Sequence, residues 1–336
     1  MKAAIFATKG YDKESFEKIN ANFGHELTFY EPKLEPDTAV LAHGYEAVCV
    51  FVNDQIDRAT ITQLAAGGTR IIATRSAGYN QIDLQAAEEL GLAVVRVPAY
   101  SPNAVSEFTV GLILTLGRQI HRAYNRVRDN NFELDGLQGF ELYNKTIGVF
   151  GTGRIGVSVL RNLSGFGARL LAYDIYRNPE AEALAEYIDD PVEMACQCDI
   201  MTLHLPLTPE THHIINADSM PLLKDGVFIV NTSRGALLDT IAVIEGLKSG
   251  KIGYLAIDVY EVESDLFFQD LSNEVITDDA FARLLTFPNV IVTGHQAFLT
   301  NRALQNIAET TLQNLTEFEK TGQCNNAVLY ANIQGT

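Results

Sequence analysis

The sequence predicts an α/β protein made of two doubly wound open parallel sheets, and three observations carry that expectation. Short apolar runs alternate with helical stretches almost throughout the 336 residues, the pattern of parallel strands joined by crossover helices. A glycine-rich turn, Gly151-Thr152-Gly153-Arg154-Ile155-Gly156, opens the second group of runs and has no counterpart in the first. Long helical stretches separate the two groups and follow the second.

The first group contains Lys2 to Ala7, Leu27 to Tyr30, Ala47 to Val52, Arg70 to Thr74 and Ala93 to Val97, with helical stretches near 13–22, 57–66 and 82–90. It reads as an open sheet of flavodoxin-like pattern. A long helix from about Ala104 to Arg128 follows, introduced by Ser101-Pro102-Asn103. Proline in the first turn and Ser or Asn just outside it are helix-start signals. Six further strands are expected near 146–150, 169–174, 199–204, 227–231, 253–258 and 289–293, the number in a complete dinucleotide-binding sheet. The helix from roughly Arg302 to Lys320 comes after that sheet is complete, so the chain is expected to cross back and add its C-terminal segment to the first domain.

Each part of the glycine-rich turn has a physical task. It follows the apolar run Thr146-Ile147-Gly148-Val149-Phe150 and precedes an amphipathic stretch with Ile155, Val159, Leu160 and Leu163. Gly151 permits the tight turn, and Gly153 lets backbone N–H groups approach a pyrophosphate. Gly156 lets helix and strand pack closely, while Arg154 and Ile155 begin a helix whose positive end faces the anion. Asp174 ends the run Arg169-Leu170-Leu171-Ala172-Tyr173, eighteen residues beyond Gly156. Its carboxylate suits ribose hydroxyls and repels a 2′-phosphate, so NAD is expected rather than NADP, a preference that the nearby Arg177 blurs without reversing. This part therefore reads as a Rossmann coenzyme domain.

Bulk properties exclude other classes. A net charge of −17 argues against nucleic acid, whose binding requires Lys and Arg against phosphates. The basic face Arg118, Arg122, Arg126 and Arg128 is expected to form salt bridges at a domain or subunit contact. The apolar stretch Val110 to Leu116 is too short to span a bilayer, and no membrane or targeting segment is read. Cys49, Cys196, Cys198 and Cys324 form no disulfide pattern, which fits a reducing cytoplasm. No metal site is expected: Cys196 and Cys198 read as apolar packing, and His212-His213 as a solvated pair in a polar connector.

Polar groups at the C-terminal ends of strands matter most, because open α/β sheets bind ligands there. Arg234 follows Val227-Phe228-Ile229-Val230-Asn231; Asp258 ends Gly253-Tyr254-Leu255-Ala256-Ile257, with Glu263 five residues on; His295 follows Val290-Ile291-Val292-Thr293-Gly294. Together they suit reduction of a 2-keto acid. Histidine can protonate the oxygen that gains charge as hydride reaches carbon. A carboxylate on its other nitrogen, the part assigned to Glu263, fixes the tautomer. Arg234 offers a planar fork for the substrate carboxylate, and Asp258 is expected to face the nicotinamide.

At these residues the chain resembles the D-2-hydroxyacid dehydrogenase family, over nearly its whole length. The resemblance rests on Arg75-Ser76-Ala77-Gly78-Tyr79-Asn80, Val97-Pro98-Ala99-Tyr100-Ser101-Pro102, the nucleotide fingerprint, His204-Leu205-Pro206-Leu207-Thr208, Asn231-Thr232-Ser233-Arg234-Gly235 and Asp258-Val259-Tyr260-Glu261-Val262-Glu263. Asp265-Leu266-Phe267-Phe268 and Gly294-His295-Gln296-Ala297-Phe298-Leu299-Thr300 resemble its lactate-forming branch. Where the family often has Ser-Pro before its histidine, this chain has Thr293-Gly294.

The resemblance implies a catalytic domain of residues 1–101 and 299–336, an NAD-binding domain of residues 102–298, and a cleft between them. It implies Arg234, Glu263 and His295 as the catalytic set, and cofactor contacts that extend to His204, Pro206, Thr211, Thr232, Ser233 and Asp258. Substrate contacts are implied at Ala77 and Gly78, whose backbone would cradle a carboxylate, and at Phe51, Tyr100, Arg234 and Phe298. The implied reaction is reversible, NADH-dependent reduction of pyruvate to D-lactate by a cytoplasmic homodimer or homotetramer. Two alternatives stay open. One is another D-2-hydroxy acid, such as hydroxyisocaproate or the reduction products of glyoxylate or hydroxypyruvate. The other is an NAD(H)-sensing interaction protein, as in the family's transcriptional corepressors.

Overall fold

A computed structural model describes residues 1–330. Its contacts divide the chain into two compact units, Met1–Ser101 with Leu299–Thr336, and Pro102–Phe298.

In the first unit, strands β1 (Lys2–Ile5), β2 (Glu26–Phe29), β3 (Ala47–Val50), β4 (Ile71–Thr74) and β5 (Ala93–Val95) form one sheet in the order β2-β1-β3-β4-β5. Every pairing is parallel, and the order is that of flavodoxin-like sheets. Strands β3 and β4 are buried at every position, which explains why they read as unbroken apolar runs. The helix Asn301–Thr321 belongs to this unit, and its Leu312, Leu315 and Phe318 join the apolar clusters around β1, β3 and β4.

The second unit adds β6 (Thr146–Phe150), β7 (Arg169–Tyr173), β8 (Glu186–Tyr187), β9 (Ile200–Leu203), β10 (Val227–Asn231), β11 (Ile252–Ile257) and β12 (Val290–Val292), in the order β12-β11-β10-β9-β6-β7-β8. This corrects the expected six strands to seven. The additional one is β8, a two-residue edge strand paired parallel to β7, too short to leave a periodic signal. With it, β6 to β11 reproduce the dinucleotide-binding order 3-2-1-4-5-6, and β12 extends the sheet by one.

The single helix expected over 104–128 is two, Pro102–Gly117 and Ile120–Arg128. They break at Gln119, which takes a left-handed φ of +54°. The first is buried along much of its length, whereas the second buries no residue. Among the described residues the basic face forms no salt bridge within the chain. Arg126 donates to the carbonyls of Glu133 (3.2 Å) and Asp135 (2.7 Å), and Arg128 lies over the Tyr124 ring. Cys198 packs in the core, but Cys196 is exposed, contrary to the expectation for the pair. No helix among the described residues is long and apolar enough to cross a membrane.

Candidate active site

The glycine-rich turn leaves β6 with Gly151 at φ +96°, its N–H bonded to Tyr173 O at 2.8 Å. A Cβ on Gly151 would lie 2.6 Å from His204 O, and one on Gly156 only 1.8 Å from Gly151 O. Neither position can carry a side chain. Gly153 differs: it caps the helix Arg154–Leu163 without a side-chain hydrogen bond, and a Cβ there would meet nothing within 4 Å. Free N–H groups at a helix N-terminus, with open space in front, fit a pyrophosphate.

The turn is braced by residues the sequence did not single out. Thr152 is buried; its N–H donates to Asp174 Oδ2 at 2.6 Å, and its hydroxyl accepts from Tyr187 at 2.6 Å. Asn178 Nδ2 donates to Thr152 O at 2.9 Å. Asp174 thus organises the loop and remains partly exposed beside it. Arg177 is engaged by Glu182 and Asp189 and lies over the Tyr187 ring, so it is not a free cation awaiting a 2′-phosphate.

The neighbouring strand ends are tied to one another. His204 N–H donates to Phe150 O (2.7 Å), and its Nε2 lies 2.8 Å from the Thr202 hydroxyl. Burial pushes its pKa down to about 3, so the ring is neutral. Thr211 donates its hydroxyl to Pro206 O at 2.6 Å, shaping that loop. Ser233 donates to Leu205 O at 2.6 Å, and the buried Thr232 hydroxyl lies 2.8 Å from that of Thr109.

Arg234, Glu263 and His295 follow β10, β11 and β12, three adjacent parallel strands, and so share one edge of the sheet. His295 Nδ1 lies 2.8 Å from Glu263 Oε1, and Glu263 Oε2 accepts the Tyr260 N–H at 3.0 Å. Both are partly buried. Arg234 Nη1 donates to Ser233 O at 2.7 Å, and Asn231 Nδ2 holds the Arg234 carbonyl at 2.8 Å. Gly235 makes this loop possible: a Cβ there would lie 2.0 Å from the Tyr260 carbonyl carbon.

Asp258 is fully buried, and its oxygens accept from Thr293 Oγ1 (2.5 Å), Gln296 N–H (2.9 Å) and Ala297 N–H (2.8 Å). Its backbone carbonyl takes the His295 N–H at 2.7 Å. It therefore shapes the loop in which His295 adopts φ +52°, an unusual conformation for a non-glycine residue. Burial raises its pKa despite these bonds. Aromatic rings flank the imidazole, Phe268 at 5.7 Å and Phe298 at 6.5 Å between centroids. No local sequence signal marks Phe268 as a neighbour of this imidazole.

The other expected substrate residues lie in the first unit, on the strand ends of β3, β4 and β5. Phe51 gives its N–H to Asp54 Oδ2 at 2.5 Å and has the buried Arg75 guanidinium 5.1 Å from its ring centre. The carbonyls of Ala77 and Gly78 accept from Arg96 (3.0 Å) and the Ser76 hydroxyl (2.7 Å). Their N–H groups have no backbone acceptor among the described residues, as a carboxylate cradle requires. Tyr100 O accepts from Asn306 Nδ2 at 2.5 Å. His213 departs from the solvated reading: its Nε2 lies 2.6 Å from Glu261 Oε1.

The family model for the D-isomer specific 2-hydroxyacid dehydrogenase NAD binding domain matches residues 110–297. D-lactate dehydrogenase of Escherichia coli is 54% identical over 332 residues, covering 98% of this chain and 100% of that protein. The apo structure of D-lactate dehydrogenase from Escherichia coli superposes with a TM-score of 0.88 at 51% identity, covering 98% and 100%. An aromatic 2-oxoacid reductase of Clostridium sporogenes is 46% identical over 329 residues, covering 97% and 98%.

Proposed function

The chain belongs to the D-isomer specific 2-hydroxyacid dehydrogenase family, and we propose that it reduces pyruvate reversibly to D-lactate with NADH. The observation that carries the site assignment is the 2.8 Å contact of His295 with Glu263 at the edge that also bears Arg234. Bound NADH supplies the hydride.

The chain's own residues do the rest. The Gly151–Gly156 turn and Asp174 hold the cofactor's diphosphate and ribose, with Thr152, Asn178 and Tyr187 keeping the turn in shape. Arg234 binds the keto-acid carboxylate through its planar fork; in the first unit, the N–H groups of Ala77 and Gly78 also suit a carboxylate. Glu263 keeps a proton on His295 Nδ1, which leaves Nε2 to face the ketone oxygen and deliver its proton. Asp258 fixes the loop on which that imidazole sits. The aromatic rings of Phe51 and Tyr100 in the first unit, and of Phe298 in the second, suit a small substrate side chain. All four cysteines are free thiols, which supports a cytoplasmic location; the chain works there as a homodimer or homotetramer.

The test is an assay with pyruvate and NADH, chiral analysis of the product, and a panel of glyoxylate, hydroxypyruvate, branched and aromatic keto acids. D-lactate as product, with the highest kcat/KM for pyruvate, is expected. A higher value for an aromatic keto acid overturns the substrate assignment. Tight NADH binding with no turnover of any member overturns the enzymatic one and favours a coenzyme sensor.

A further inference from the structure

His212, His213 and Glu261 lie outside the dehydrogenase site just described, and their arrangement has a chemistry of its own. One ligand atom from each falls within 4.8 Å of the others. The two imidazoles stack with centroids 3.9 Å apart, and His213 Nε2 lies 2.6 Å from Glu261 Oε1. His212 is exposed, so an ion has a path from solvent, while His213 and Glu261 are partly buried.

One side chain is oriented from behind, and the backbone that carries a second is fixed. Glu261 Oε2 accepts the Thr240 hydroxyl at 2.8 Å, which turns Oε1 toward His213. His213 adopts φ +52°, with its N–H on Ala236 O (2.8 Å) and its carbonyl held by Asn216 Nδ2 (2.8 Å). The outer bond on Glu261 is of the kind that holds metal ligands in place. Two imidazoles and a carboxylate form a ligand set for a borderline divalent ion, with a fourth position left to water.

We propose that His212, His213 and Glu261 form a binding site for a divalent transition metal ion of the Zn²⁺ type. Bond lengths of about 2.0–2.1 Å around a tetrahedral ion put neighbouring ligand atoms roughly 3.3 Å apart. The ion therefore replaces the present hydrogen bond by opening it through a fraction of an ångström, and the exposed His212 ring swings to complete the set. Glu261 lies two residues before Glu263, and His213 is bonded to Ala236, two residues beyond Arg234. An occupied site thus ties the loop that follows β9 to the one that follows β11. The site stands independently of the dehydrogenase assignment, because none of its three ligands acts in that reaction.

The experiment titrates the full chain, stripped with chelator, with Co²⁺ while following the visible bands of a four-coordinate ion, then displaces Co²⁺ with Zn²⁺. One ion per chain, and a rise in Tm on Zn²⁺ addition, are expected. His212→Gln alters an exposed side chain and should weaken Zn²⁺ by about tenfold or more, with NADH binding retained as the check on folding. His213→Gln should remove the site. Cys196→Ser deletes the exposed thiol and should leave binding unchanged. No binding, affinity insensitive to His212→Gln, or loss of binding in Cys196→Ser each overturns the proposal.

Discussion

In both units the first strand runs into a turn and then a helix, yet the two turns are built from opposite materials. After β1, the Lys9 N–H donates to Asp12 Oδ2 at 3.0 Å, and Asp12 Oδ1 lies 3.2 Å from Arg75 Nη1. Asp12 and Arg75 are both buried. The chain places its own carboxylate in the first turn of the helix Gly10–Asn20, where the helix dipole favours negative charge. After β6, the same place holds glycines, no side-chain cap and open space at Gly153. One helix start is filled from within and the other is left for a ligand. Topology alone does not make a nucleotide site; the residues of one turn do.

The largest effect should come from closing the open turn. Gly156→Ala drives a methyl group into Gly151 O and should weaken NADH binding roughly 100-fold, as expected when a site is displaced by about an ångström. Fluorescence titration of NADH measures it, and unchanged affinity would show that the turn does not hold the cofactor.

A second test addresses the buried charges of the first unit. Burial raises Asp54 from 3.8 to about 6, although Phe51 and Leu34 N–H groups bond its oxygens. The folded state therefore holds a proton that the unfolded chain releases at lower pH. The stabilisation is present below the unfolded pKa and is lost as pH rises through about 6, by up to about 3 kcal/mol. Asp54→Asn should flatten that slope in urea unfolding at pH 4.5 and 7; an identical slope would contradict the assignment.

A smaller change is expected from Asp174→Ala, which removes the proposed ribose acceptor and a brace on Thr152. Its preference for NADH over NADPH should fall about tenfold, on the order of one charged hydrogen bond, read as a ratio of kcat/KM values. An unmoved ratio would take cofactor choice away from Asp174. Gly10→Ala, where a Cβ meets nothing within 4 Å, should shift stability by no more than about 0.5–1 kcal/mol and leave NADH binding intact. A large loss there would erase the contrast between the two turns.

Local patterns carried much of this molecule. Fully buried parallel strands write continuous apolar runs, so β3, β4 and β9 were plain in the sequence, as were the glycines of the tight turn and close packing at 151 and 156. Strand-end placement of Arg234, Glu263 and His295 was also legible, because each follows such a run. What the sequence hid depends on distant partners. Tyr187 sits in a two-residue strand yet bonds Thr152, thirty-five positions away. His213 meets Glu261 across forty-eight. Gln119 breaks a helix although its neighbours have ordinary helical character. Asp258 also draws its hydrogen bonds from positions nearly forty residues away, Thr293, Gln296 and Ala297.

The most direct test of the whole reading separates binding from chemistry at one imidazole. His295→Ala should bind NADH within a few-fold of the parent chain while kcat for the keto acid falls by roughly 10²- to 10⁴-fold. Turnover near that of the parent, with cofactor affinity unchanged, would remove proton transfer from this histidine and with it the proposed mechanism.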